Sequence, residues 1–126
     1  MKLTNNFSKS EFDCRSGEEM PSDVLDNVKQ LAIQLQAIRD YVGKPIRINS
    51  AYRSKAHNKL IGGVKTSQHI LGKAADITID TFTPDEVISI IENMLTNEML
   101  GGFHIGGLGS YRTFTHVDIR DKKARW

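Results

Sequence analysis

The chain has 126 residues, enough for one domain with a real core and too few for two. Hydrophobic residues make up 39% and charged residues 25%, which excludes a wholly disordered or fibrous chain, and no window supplies the roughly 18 to 20 continuous apolar residues of a membrane helix. Against 15 Asp and Glu, 17 Lys and Arg leave a formal charge of +2, too small and too interspersed to read as a nucleic-acid-binding face, and the single cysteine, Cys14, can form neither an internal disulfide nor a multi-cysteine zinc knuckle.

Residues 1–20 begin MKLTNNFSKSEF, with a Lys but no apolar run of the kind a cleaved secretory signal carries, and read as an N-terminal arm whose Phe12 packs back onto the body. Met20-Pro21-Ser22-Asp23 supplies a helix start. Val24, Leu25, Val28, Leu31, Ile33, Leu35 and Ile38 then keep an amphipathic helical period up to a stop at Gly43. Lys44-Pro45 breaks it, and PIRINSAYR reads as a strand in which Ile46 and Ile48 alternate with Arg47 and Asn49. Residues 54–72 mix His57, Asn58, Gly62-Gly63, Thr66 and Ser67, which predicts an irregular excursion around a short helix at 55–60. Long loops inside compact domains are uncommon unless they serve a site.

Residues 74–79, AADITI, return to strand alternation. Thr83-Pro84-Asp85-Glu86 opens a second helix with a capping residue, a first-turn proline and acids at its N-terminus, and the helix runs to about Leu95. Residues 101–109 read as a glycine-rich connector carrying Phe103 and His104, residues 114–119 as the final strand, and residues 121–126 as a short basic tail. The order is helix, strand, excursion, strand, helix, strand. It predicts one α+β domain over residues 1–126, a small antiparallel sheet with flanking helices.

The chemistry-bearing residues gather late in this order. In SQHILGKAAD a glycine-containing turn separates His69 from Asp76, so an imidazole and a strand-borne carboxylate can fold towards one cation. His116 lies in THVDIR on the last strand, and a strand pairing would bring it to the same place, leaving a fourth position for water. Spacing alone leaves a second reading open, in which His69 bonds a loop carbonyl, Asp76 caps a turn and His116 is a half-buried strand histidine.

The pattern Ser67-x-His69-x-x-Gly72-x-Ala74-x-Asp76, followed by a strand with His116, resembles the motif pair of the zinc D-alanyl-D-alanine carboxypeptidase family. That family includes D-Ala-D-Ala dipeptidases and phage peptidoglycan endopeptidases and is similar in fold to the hedgehog signalling domain. The resemblance is nearest to its short, single-domain branch, in which F-x-x-x-E-F precedes a helix, then INSAYRS, an HN and GG loop, SQHxxGKAAD and a terminal HVDxR; all occur here between Phe7 and Arg120. It implies a hedgehog/DD-peptidase-like fold, Zn2+ held by His69, Asp76 and His116, and hydrolysis of an amide bond in peptidoglycan stem peptides, as a D,D-carboxypeptidase or an endopeptidase of endolysin type.

The resemblance also implies that Arg53, in SAYRS, is a catalytic and substrate-binding residue, since a guanidinium fork suits a peptide carboxylate or carbonyl oxygen. Ser67 and His57 are expected at the substrate or as loop braces, and Tyr52, His104 and Tyr111 as cleft-lining groups. In many relatives a Glu or Asp stands three positions before the last histidine ligand as the general base; here that position is Thr113. Asp118, two residues after His116 and therefore on the same strand face, is the leading candidate for that role, with His104 second. The alternative for Asp118 is a pairing with Arg120 or the orientation of a histidine ligand.

The expected partners are peptidoglycan stem peptides, with a phage virion or a separate wall-binding protein as a further one; neither nucleic acid nor a transmembrane segment is expected. The expected route is synthesis in the cytoplasm and action at the cell wall after phage-type release or within a virion. The rival reading from another class is a non-catalytic zinc-containing module with a wall-binding or structural role.

Overall fold

The computed structural model describes residues 1–101 and 105–126. A short 3-10 turn, Lys9–Phe12, precedes a long helix α1 (Ser22–Val42), strand β1 (Ile46–Ser50), a short helix α2 (Lys55–Leu60), strand β2 (Ala74–Ile79), helix α3 (Pro84–Thr96) and strands β3 (Gly107–Ser110), β4 (Thr115–Asp118) and β5 (Ala124–Arg125). The strands form one sheet in the order β1-β2-β4-β3-β5, antiparallel except for the parallel edge pair β3 and β5. This is the small α+β domain with flanking helices that the sequence predicts.

Local chemistry sets the helix ends. Gly43 closes α1 in the left-handed conformation at φ 68° and donates its N–H to the Arg39 carbonyl, a conformation that costs a side-chain-bearing residue. At α3 the Thr83 hydroxyl accepts the Glu86 N–H while the Glu86 carboxylate accepts the Thr83 N–H, with Pro84 in the first turn. The apolar stripe of α1 (Val24, Val28, Leu31, Leu35, Ile38) and that of α3 (Val87, Ile91, Met94) are buried in one core with Ile77, Leu108 and Val117 of the sheet. Ile33 is the exception within the sequence pattern, 59% exposed on the outer face of α1.

Two strands depart from the sequence reading. The glycine-rich segment read as a connector holds most of β3, and the basic tail holds β5, just after which the Trp126 backbone donates to the Leu108 carbonyl and accepts from the Ser110 N–H. Neither composition signals a strand, because a glycine strand lacks apolar alternation and a two-residue edge strand is too short to show any. The arm at residues 1–20 packs back as expected, with Phe7 and Phe12 buried edge to face at 6.1 Å and the Phe12 carbonyl accepting the Tyr52 N–H.

Candidate metal centre

Three local features bring one imidazole, one carboxylate and a second imidazole to a point. The antiparallel register of β2 and β4 sets Asp76 directly opposite His116, so both side chains leave the same face of the sheet. His69 reaches that face from the turn before β2. There Gly72, at φ +72°, lies so close to α1 that a Cβ would stand 2.6 Å from Val24 Cγ1. Asn27 of α1 also donates to the Leu71 carbonyl at 2.8 Å. Helix α1 thus fixes the turn, and the turn fixes His69.

The hydrogen bonds decide which ring nitrogens are free. His69 Nδ1 donates to the Ala51 carbonyl at 2.7 Å, leaving the Nε2 lone pair 3.2 Å from Asp76 Oδ1. His116 Nε2 donates to Asp118 Oδ2 at 2.7 Å, leaving the Nδ1 lone pair 3.2 Å from the same oxygen. Each histidine is pinned by its outer nitrogen and offers its inner one, the arrangement that orients imidazole ligands at a metal. The three candidate ligand atoms lie within 4.8 Å of one another, on three buried residues. Converging acceptors repel unless a proton or a cation lies between them. Two imidazoles and one carboxylate fit Zn2+ and leave its charge half neutralised.

Around this set lies a ring of supporting charge. Arg53 donates to Asp76 Oδ2 at 3.1 Å, to Ser50 Oγ at 3.2 Å and to Asn58 Oδ1 at 3.3 Å. Arg120 donates Nε and Nη2 to Asp118, whose side chain is fully buried. Burial opposes the charge of both carboxylates, yet in the metal-free protein His116 and His69, when protonated on their inner nitrogens, bond to Asp76, and His116 and Arg120 bond to Asp118, which holds both carboxyls well below the usual carboxylate range. Burial likewise opposes charge on His116, but its bonds to Asp118 and Asp76 push it above its ordinary value.

The ligand atoms open into a cleft of about 430 Å3. Arg53, Ser67 and Tyr111 line it, and among the described residues Asp76 is the only carboxylate in its wall. Ser67 accepts the His69 N–H at 3.1 Å, bracing the ligand turn. His57 lies on α2 away from the cleft wall, with Nδ1 buried and unpartnered. Tyr52 is 7% exposed in the hydrophobic core, not in the cleft, because its backbone is tied to the arm at Phe12. His104 lies outside the described residues. Asp118 lies behind His116 rather than in the cleft wall, with both oxygens committed.

Sequence reasoning passed over three contributors. Gly107 stands opposite Asp118 in β3, where a Cβ would fall 2.3 Å from Oδ2, and Gly109 stands opposite His116. Their spacing of two, matching that of His116 and Asp118, was the available signal. The third is Trp126, whose ring lies 4.9 Å from that of His116 and lines the cleft; nothing in the sequence pairs a residue ten positions downstream with a ligand.

The peptidase M15 family model matches residues 5–118, a span that includes every residue of the cluster. A zinc D-Ala-D-Ala carboxypeptidase from Streptomyces albus G is 44% identical over 78 residues, a stretch covering 57% of this chain and 31% of that relative.

Proposed function

The chain belongs to the peptidase M15 family, and on that premise we propose that it is a zinc-dependent peptidase hydrolysing an amide bond in peptidoglycan stem peptides, as a D,D-carboxypeptidase or an endopeptidase. The observation that carries the proposal is the convergence of His69 Nε2, Asp76 Oδ1 and His116 Nδ1, with both outer ring nitrogens already committed as donors. These three residues would hold the metal. When bound, Zn2+ acidifies water and polarises the carbonyl under attack.

The protein's own groups account for the remaining tasks. Arg53 has five N–H donors, of which three are used, so two stay free at the cleft for a substrate carboxylate or carbonyl. That favours a substrate with a free carboxylate near the scissile bond and gives the carboxypeptidase type its physical basis. For Asp118 we favour the orienting role over proton acceptance: it receives the His116 Nε2 proton in a hydrogen bond, it is fully buried, and Arg120 occupies both its oxygens. Tyr111 has its hydroxyl at the cleft, where it accepts from Trp126.

A non-catalytic zinc module with a wall-binding role is the second reading, favoured by the lack of a free carboxylate among the described cleft residues. One paired assay separates the two: metal content of the purified protein, and mass-spectrometric products from defined muropeptides, for wild type and His116→Ala. Stoichiometric zinc and a product that both vanish in the variant support the peptidase and fix the bond. Zinc without cleavage of D-Ala-D-Ala, L-Ala-D-Glu or cross-bridge substrates supports the module, and absence of both overturns each.

A further inference from the structure

The cleft has an aromatic side that the zinc chemistry does not use. Trp126 is 47% exposed and Tyr111 42%, yet neither is loose. The Trp126 backbone is bonded on both sides to β3, its indole Nε1 donates to the Tyr111 hydroxyl at 2.8 Å, and the Arg120 guanidinium lies 5.1 Å from its ring. Tyr111 is in turn stacked on Phe114 at 4.5 Å with the rings 10° from parallel. Gly109 makes the placement possible, because a Cβ there would stand 2.6 Å from the indole. A contiguous exposed apolar patch rimmed by polar groups marks an interaction surface. Here five restraints preorganise it, beside a metal ligand and inside the same cleft.

We propose that Trp126, braced by Tyr111 and Arg120, is a substrate-contacting subsite that takes a small uncharged side chain next to the scissile bond. The inference rests on the peptidase reading and specifies its substrate side. The charged donors at the cleft are cationic, so a carboxylate of the substrate goes to Arg53, while Ile61 and Val64, 51% and 71% exposed, add aliphatic surface to the same cleft. An indole face and two aliphatic side chains match a small apolar side chain, and because the Arg120 guanidinium beside the indole is already paired with Asp118, a charged side chain would meet no free counter-ion there. Trp126 is therefore a residue for binding and specificity rather than for bond cleavage.

The protein has a single tryptophan, so its fluorescence reports this subsite alone. Zinc-loaded wild type, Trp126→Ala, Trp126→Phe and Gly109→Ala would be compared with a peptide ending in D-Ala-D-Ala, by zinc content, by kcat and KM, and by peptide titration of the emission. The expected result is full zinc content throughout and a rise in KM of about tenfold in Trp126→Ala and Gly109→Ala, with kcat little changed and only a roughly threefold effect in Trp126→Phe. Emission of the wild type should shift saturably with peptide, and Gly109→Ala, whose added Cβ meets the indole first, should lose that shift. Unchanged KM, or zinc lost in step with activity, would overturn the proposal and make Trp126 a cover for His116. If Trp126→Ala does not fold, Gly109→Ala and Trp126→Phe carry the same comparison. If the wild type binds zinc but cleaves nothing, the peptidase reading fails, and the titration still decides the subsite by whether the emission responds.

Discussion

His116 is engaged at both ring nitrogens, by Asp118 behind and by the Asp76 side in front, and that double engagement controls how the centre responds to protons and metal. Replacing Asp118 by Asn removes the full charge behind the ligand, and zinc affinity should fall about 10- to 100-fold, measurable by competition with a chelating dye. The metal-free protein should also show two opposed pH dependences. Asp118 titrates lower when folded than its ordinary 3.8, so its contribution to stability is complete above that value and is lost as pH falls through the folded one. His116 titrates higher when folded than its ordinary 6.5, so its contribution is complete below that value and is lost as pH rises through the folded one. Urea midpoints of the chelator-treated protein should therefore decline on both sides of the mildly acidic range. In Asp118→Asn both limbs should be shallower; equal slopes would mean that the pair does not control them.

Strands and turns were legible to different degrees. The caps of α1 and α3 are local, since each is a contact between residues three or four apart, so sequence located both helices within a residue or two. Alternation likewise placed His116 and Asp118 on one face of the last strand. β3 was hidden because its value lies in absent side chains: Gly107 leaves room for the Asp118 carboxylate and Gly109 for the Trp126 indole. Gly107→Ala should cost about 1–3 kcal/mol and weaken zinc binding. Gly72→Ala, which combines a positive φ with a clash against α1, should cost about 2–4 kcal/mol. Gly101→Ala, where a Cβ meets nothing within 4 Å among the described residues and φ is not positive, is the control and should shift the denaturation midpoint little.

At the scale of the whole molecule, the metal should act as a cross-brace between the excursion before β2 and two sheet strands. Binding to the folded state alone stabilises by about 2.7 kcal/mol when free zinc is 100 times its dissociation constant. For a chain of this size that is a rise in Tm of roughly 8–14 °C. Calorimetry with zinc and with EDTA should show the rise and its reversal in wild type and neither in Asp76→Asn. The sequence by itself determined the α+β class, the helix boundaries, the family pattern and the three residues expected to bind metal, because propensities, caps, period-two alternation and motif spacing are written in short stretches of chain. Only the tertiary structure decided which histidine nitrogen faces inward, that Asp118 stands behind His116 and not beside the cleft, that Tyr52 belongs to the core, and that Trp126 returns to the site. The inward turn of His69, the burial of Tyr52 and the return of Trp126 depend on contacts between distant segments, and even the local His116–Asp118 pair takes its depth from the strands packed on either side, which no short pattern encodes.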